Sequence, residues 1–225
     1  MHVDVWSVIL DAPAKVVEQL RELLNDEEIA RADRFVTATL RGRFIVGRAA
    51  LRTLLGRYLD RHPASIEFVY SARGKPSVWG IDFNLSHSDG LAVYAFAQGC
   101  EIGIDVERIR ASDDLLDVAR RFFAPREYAE LAALEPSQQT DAFFRCWTRK
   151  EAFLKATGEG IAAALDRFEV TLLDTDPPAL RWIDGDVAER WSVHHIAPAK
   201  GYAGAVVAAM PIEVGPCRAF SMNVS

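Results

Sequence analysis

The 225-residue chain is 50% hydrophobic and 26% charged, enough apolar material for one large core or two smaller ones. Its net charge of -6 argues against wholesale nucleic-acid binding, and no apolar run approaches a membrane span, so a soluble, cytoplasmic protein is expected. The cysteines, Cys100, Cys146 and Cys217, are odd in number and lack C-x-x-C spacing, which points away from a disulfide framework or a zinc site.

Hydrophobic periodicity predicts a strand over residues 2–10, a helix over 14–24 and a long amphipathic helix over 41–59. Residues 31–61 hold eight arginines against two aspartates, a basic segment in an otherwise acidic chain. Arg48 and Arg52 stand one helical turn apart, where like charges repel by about a few tenths of a kcal/mol, so an anion or an acidic partner would relieve them. A solvated helix face accounts for most of these arginines equally well. Strands are expected over 66–70, 83–86, 91–97 and 102–106, the last two joined as a hairpin through Gln98-Gly99-Cys100-Glu101. Helices follow over 115–123, 126–134 and 140–157, then strands over 168–173, 190–196 and 204–209. Strand, short helices, long helix and a set of strands thus occur twice. The expected class is α+β with two similar, tightly docked halves, 1–102 and 103–210, and an irregular tail over 211–225.

Three groups of residues could carry chemistry. In Ile102-Gly103-Ile104-Asp105-Val106-Glu107 an apolar strand ends in carboxylates two residues apart, which places both on one face with Cα atoms about 6.6 Å apart. Such oxygens suit magnesium, although two acids at a strand end read as well as solvated surface. In Phe143-Phe144-Arg145-Cys146-Trp147-Thr148-Arg149-Lys150-Glu151-Ala152-Phe153-Leu154-Lys155, followed by Gly158-Glu159-Gly160, helical spacing puts Trp147, Glu151 and Lys155 on one stripe. Glu151 and Lys155 would also make an ordinary exposed helix pair worth about 0.2–0.5 kcal/mol. In Asn84-Leu85-Ser86-His87-Ser88-Asp89-Gly90, preceded by Arg73-Gly74-Lys75-Pro76, amides, hydroxyls, an imidazole and a lysine are suitable donors to phosphate. His194 and His195 read as structural.

Taken in order, Gly74-Lys75-Pro76, Asn84-Leu85-Ser86-His87-Ser88, Ile102-Gly103-Ile104-Asp105-Val106-Glu107 and Trp147-Thr148-Arg149-Lys150-Glu151-Ala152 resemble the motifs of the surfactin-type 4′-phosphopantetheinyl transferases. The resemblance runs from about residue 31 to 175. It implies a pseudo-dimer of two α+β halves with the active site at their interface. It further implies that Asp105, Glu107 and Glu151 hold Mg2+ and that coenzyme A is the co-substrate. Lys155 would add fixed positive charge, and Glu151 is the candidate base. Ser86, His87 and Arg43 would contact the coenzyme's phosphates, joined by Arg48 on charge pattern and helix spacing. Gly74, Lys75 and Pro76 would line the adenine, Arg73 would also bind the coenzyme, and Arg31 and Arg34 stand where the family often carries basic residues near the 3′-phosphate. The implied partner is an apo acyl or peptidyl carrier protein whose serine is the nucleophile, served by a monomeric enzyme without nucleic acid or membrane. The same acids with water as nucleophile would instead make a magnesium phosphohydrolase.

Overall fold

The computed structural model describes residues 1–158 and 165–222, so Glu159 and Gly160 lie outside the described residues. The chain runs through β1 (His2–Ile9), α1 (Ala14–Arg21), α2 (Asp26–Ala32), α3 (Ala38–Leu59), β2 (Val69–Tyr70), β3 (Pro76–Ser77), β4 (Asp82–Ser88), β5 (Leu91–Ala97) and β6 (Ile102–Arg108). It continues through α4 (Leu115–Phe122), α5 (Pro125–Ala132), α6 (Pro136–Thr157), β7 (Phe168–Val170), β8 (Leu180–Ile183), β9 (Ser192–Ile196), β10 (Tyr202–Ala208), β11 (Glu213–Val214) and β12 (Arg218–Ala219). The architecture is α+β. One sheet has the order β11-β1-β5-β4, with β12 also on β1, and a second has the order β6-β10-β9. Each carries one 22-residue helix, α3 on the first and α6 on the second.

Strand alternation builds these layers. On β5, Ala92, Tyr94 and Phe96 join the cluster under α3, whereas Leu91, Val93, Ala95 and Ala97 face Ile102, Ile104, Val106, Val206 and Ala208 of the second sheet. β5 is therefore buried on both faces. On β6 the apolar residues take the face toward the first sheet, which turns Gly103, Asp105 and Glu107 toward α6. Gly103 sets the distance between these layers. A Cβ there would lie 2.0 Å from Ala152 O and 2.4 Å from Ala156 N, so only glycine lets the helix backbone settle directly on the strand.

Several features differ from expectation. β5 and β6 do not form a hairpin, because both edges of β5 are taken, by β1 and by β4, and β6 pairs with β10 instead. The strand expected over 66–70 shrinks to Val69–Tyr70, since the Ile66 carbonyl accepts from Arg52 NH1 at 3.0 Å rather than joining a ladder. α2, not expected at all, starts on a reciprocal cap between Asn25 and Glu28. The tail is not irregular throughout. β11 and β12 run parallel to β1 and close its outer edge, Arg218 pairs with Asp4 and stacks 4.0 Å over the Trp6 ring, and Phe220 is buried under α3.

Candidate functional site

The acidic group gathers where β6 meets α6. Asp105 is 3% exposed, and its Oδ1 accepts from Lys155 Nζ at 2.7 Å and from the Ser86 hydroxyl at 2.8 Å. Lys155 Nζ also donates to Ser86 Oγ at 2.7 Å, so lysine, serine and aspartate close a triangle across the two halves. Glu107 Oε2 accepts from the Ser88 hydroxyl at 2.7 Å. Glu151 lies one helical turn before Lys155 and is 5% exposed. Ser86, Asp105, Glu107, Glu151 and Lys155, with Leu85, His87 and Trp147, line one cleft of about 330 Å³. The stripe of Trp147, Glu151 and Lys155 inferred from helical spacing is therefore the helix wall of that cleft.

Burial and mutual repulsion govern its electrostatics. Burial raises the Asp105 carboxyl above the usual range, and the Lys155 ammonium and Ser86 hydroxyl only partly pull it back. Burial likewise raises Glu107, against the Ser88 hydrogen bond, with the Asp105 charge adding to the rise. Glu151 is pushed up to about 7 by burial, then by the charge of Asp105, with Glu107 adding a smaller push. Desolvation, then the Lys155 and Arg31 charges, holds the His87 imidazole below its ordinary value.

Among the described residues, Asp105 Oδ2 and Glu151 Oε1 are buried without a hydrogen-bond partner. Two carboxylate oxygens left bare in one cleft are the kind of site a hard cation completes, and the all-oxygen donor set fits magnesium. No three histidine, cysteine or carboxylate side chains among the described residues converge closely enough to hold an ion as they stand.

Two further pockets adjoin the cleft, and Leu85 lines all three. One, of about 240 Å³, is bounded by Arg73, Gly74, Lys75, Pro76, Asn84 and Lys155. Its cations cap α6, because Lys75 Nζ donates to Lys155 O at 2.6 Å and Arg73 NH1 to Gly158 O at 3.1 Å, where the helix dipole favours positive charge. Burial lowers the Lys75 ammonium below its usual value. The other pocket, of about 210 Å³, has an apolar floor and is rimmed by Arg31, Arg43, Arg48 and His87.

The arginines of that rim are already engaged inside the chain. Arg43 makes a two-pronged contact with Asp11, at 2.7 and 3.0 Å. Arg48 and Arg52 share one acid, Glu28 of α2, at 3.4 and 2.7 Å, so their repulsion is relieved from within. Arg52 is fully buried and also donates to the carbonyls of Pro63 and Ile66, whereas Arg48 reaches the pocket and keeps NH1 buried without a partner among the described residues. Arg31 stacks 5.3 Å from the Phe44 ring, and Arg34 is exposed away from the pocket.

Sequence reasoning missed the supporting residues. Lys150, inside the helix motif, turns away from the cleft and pairs at 2.8 Å with Glu127, both side chains fully buried, and donates to the carbonyls of Leu165 and Phe168. Glu127 in turn accepts from Val170 N and Ala124 N. An isolated glutamate in a short helix gave no signal for this. Asn84, Ser86 and Ser88 did give one, since polar residues at period two in a buried strand mark a face turned to something polar.

Residues 101–207 match the family model described as the 4′-phosphopantetheinyl transferase superfamily. The chain is 42% identical over 214 residues to the 4′-phosphopantetheinyl transferase HetI of Nostoc sp., covering 92% of this chain and 88% of that protein. It is 33% identical over 186 residues to a 4′-phosphopantetheinyl transferase of Bacillus subtilis, covering 80% and 82% of the two chains. To Sfp of Bacillus subtilis strain 168 it is 29% identical over 212 residues, covering 92% of each.

Proposed function

This chain belongs to the 4′-phosphopantetheinyl transferase family, and from that premise we propose that the three adjoining pockets, two between its halves and one within the first half, form the site at which coenzyme A reacts. The enzyme transfers the 4′-phosphopantetheine arm of coenzyme A to a serine hydroxyl of an apo carrier protein, releasing 3′,5′-ADP. In this reading Asp105, Glu107 and Glu151 hold Mg2+. The observation that carries it is the pair of buried, partnerless oxygens, Asp105 Oδ2 and Glu151 Oε1, lining one cleft. When bound, the ion supplies positive charge to the pyrophosphate under attack.

The chain's own residues then divide the work. Arg73, Gly74, Lys75 and Pro76 receive the adenine, while Arg43, Arg48, Ser86 and His87 take phosphate oxygens. The Lys155 ammonium, anchored by Asp105 and Ser86, is a preorganised positive charge beside the leaving group. The carrier serine Oγ forms a bond to the phosphorus bearing the pantetheine arm, the bond from that phosphorus to the 3′,5′-ADP oxygen breaks, and the serine proton passes to Glu151. Because both halves of the site lie on one chain, the enzyme works as a monomer. No helix among the described residues is long and apolar enough to cross a membrane, and three free thiols suit the reducing cytoplasm.

The test mixes the protein with coenzyme A, Mg2+ and a panel of apo acyl and peptidyl carriers, and reads attachment by mass spectrometry. Transfer is expected with Mg2+, and Asp105→Ala or Glu107→Ala should abolish it while the far-ultraviolet spectrum stays native. Full transfer by either variant would remove the metal assignment, and coenzyme A cleavage without any carrier would favour the hydrolase.

A further inference from the structure

β4 and β6 lie side by side where the two sheets meet, yet no backbone ladder joins them. Side chains of β4 bridge the gap instead. Asn84 Oδ1 accepts from Ile104 N at 3.0 Å, the Ser86 hydroxyl donates to Asp105, and Ser88 Oγ accepts from Arg108 N at 3.1 Å while donating to Glu107 Oε2 at 2.7 Å. Asn84, Ser86 and Ser88 alternate with Phe83 and Leu85, which pack under α3, so one face of β4 is apolar and the other is given over to this seam. All three seam residues are buried, at 6–7% exposure.

Ser88 stands apart from the other two because its single hydroxyl fixes both the strand and a carboxylate. Its lone pair takes the amide of Arg108, which fixes the end of β6, and its proton goes to the preceding residue's carboxylate, which fixes the rotamer of Glu107. We propose that Ser88 is a positioning residue that aims Glu107 into the acidic cleft, and that the Asn84-Ser86-Ser88 seam keeps β6 in register with β4. The inference rests on the reading of Glu107 as a metal ligand. A hydroxyl that orients a ligand carboxylate typically changes metal affinity about 10- to 100-fold when removed. The effect falls on ion binding and not on coenzyme recognition, since Ser88 lines none of the three pockets.

The experiment compares wild type, Ser88→Ala, Ser88→Thr and Glu107→Ala. Mn2+ binding to the enzyme without coenzyme is measured by electron paramagnetic resonance, transfer is titrated with Mg2+, and exchange of the Arg108 amide is followed by NMR. Ser88→Ala should weaken Mn2+ binding about 10- to 100-fold and raise the Mg2+ needed for half-maximal transfer equally, with KM for coenzyme A changed less than about threefold. The Arg108 amide should exchange faster, and threonine, which keeps the hydroxyl, should restore all three readings. If Glu107→Ala loses Mn2+ while Ser88→Ala binds it within about twofold of wild type, Ser88 does not position the ligand and the inference is overturned. If Glu107→Ala binds Mn2+ normally, the metal reading itself falls and the aiming role falls with it; an unchanged Arg108 amide in Ser88→Ala would then overturn the seam too.

Discussion

Replacing Gly103 with alanine probes the contact on which the cleft depends. The added methyl would sit 2.0 Å from Ala152 O and 2.4 Å from Ala156 N. The shorter contact falls about 1.4 Å below ordinary van der Waals separation, and both neighbours are helix backbone, which cannot rotate aside. α6 must therefore lift from β6 by roughly 1 Å, at an overpacking cost of about 1–3 kcal/mol. In a chain of this size that lowers Tm by between about 2 and 12 °C. The functional effect is expected to be larger, because Glu151 and Lys155 ride on the displaced turn and the Lys155 contacts to Asp105 and Ser86 are only 2.7 Å long. A misplacement of about 1 Å at reacting groups costs on the order of 100-fold in rate. The assay is kcat/KM for transfer to a purified apo carrier at saturating Mg2+, with thermal unfolding measured alongside. Activity within threefold of wild type and an unmoved Tm would refute the claim that Gly103 seats the catalytic helix.

Lys150→Ala strands the Glu127 carboxylate in the second core and should cost about 3–5 kcal/mol, read from urea unfolding; a loss below about 1 kcal/mol would mean that the pair adds little. Glu151 has its folded pKa raised to about 7 from an ordinary 4.5, so the metal-free protein loses stability as pH rises between those values. Glu151→Gln should accordingly stabilise the metal-free enzyme at pH 8 and lose that advantage by pH 4, and an offset independent of pH would contradict the assignment. Arg43→Ala removes an exposed pair with Asp11 and should change stability by less than about 1 kcal/mol, while raising KM for coenzyme A about tenfold; an unchanged KM would leave Arg43 a structural partner only.

The helices and strands with strong period were legible. Residues 91–97 coincide with β5, and the long helices end where expected, although α3 and α6 begin earlier because Thr37 caps one and Pro136 opens the other. Pairing was less legible than the elements themselves. A short turn between two apolar strands implies a hairpin only if the first strand has a free edge, and β5 has none. At the site, spacing places Asp105 with Glu107 on one strand face and Glu151 with Lys155 on one helix stripe, while the meeting of the two faces is implied by the family resemblance alone. Which partner each of these side chains meets could not be read from spacing, since Ser88 and Gly103 act through contacts between segments distant in the chain. Arg48 and Arg52 show the cost most plainly: their acid lies in a seven-residue helix too short to register as periodic.

The parallel strands β11 and β12 bear on how the protein can be made. During synthesis β1 leaves the ribosome roughly two hundred residues before the strands that cover its outer edge, at residues 213–219. Until those strands emerge, that edge presents open amide and carbonyl groups, a template for pairing with other nascent chains. Variants lacking residues 213–219 should therefore show themselves first as inclusion bodies, before any defect in turnover can be measured.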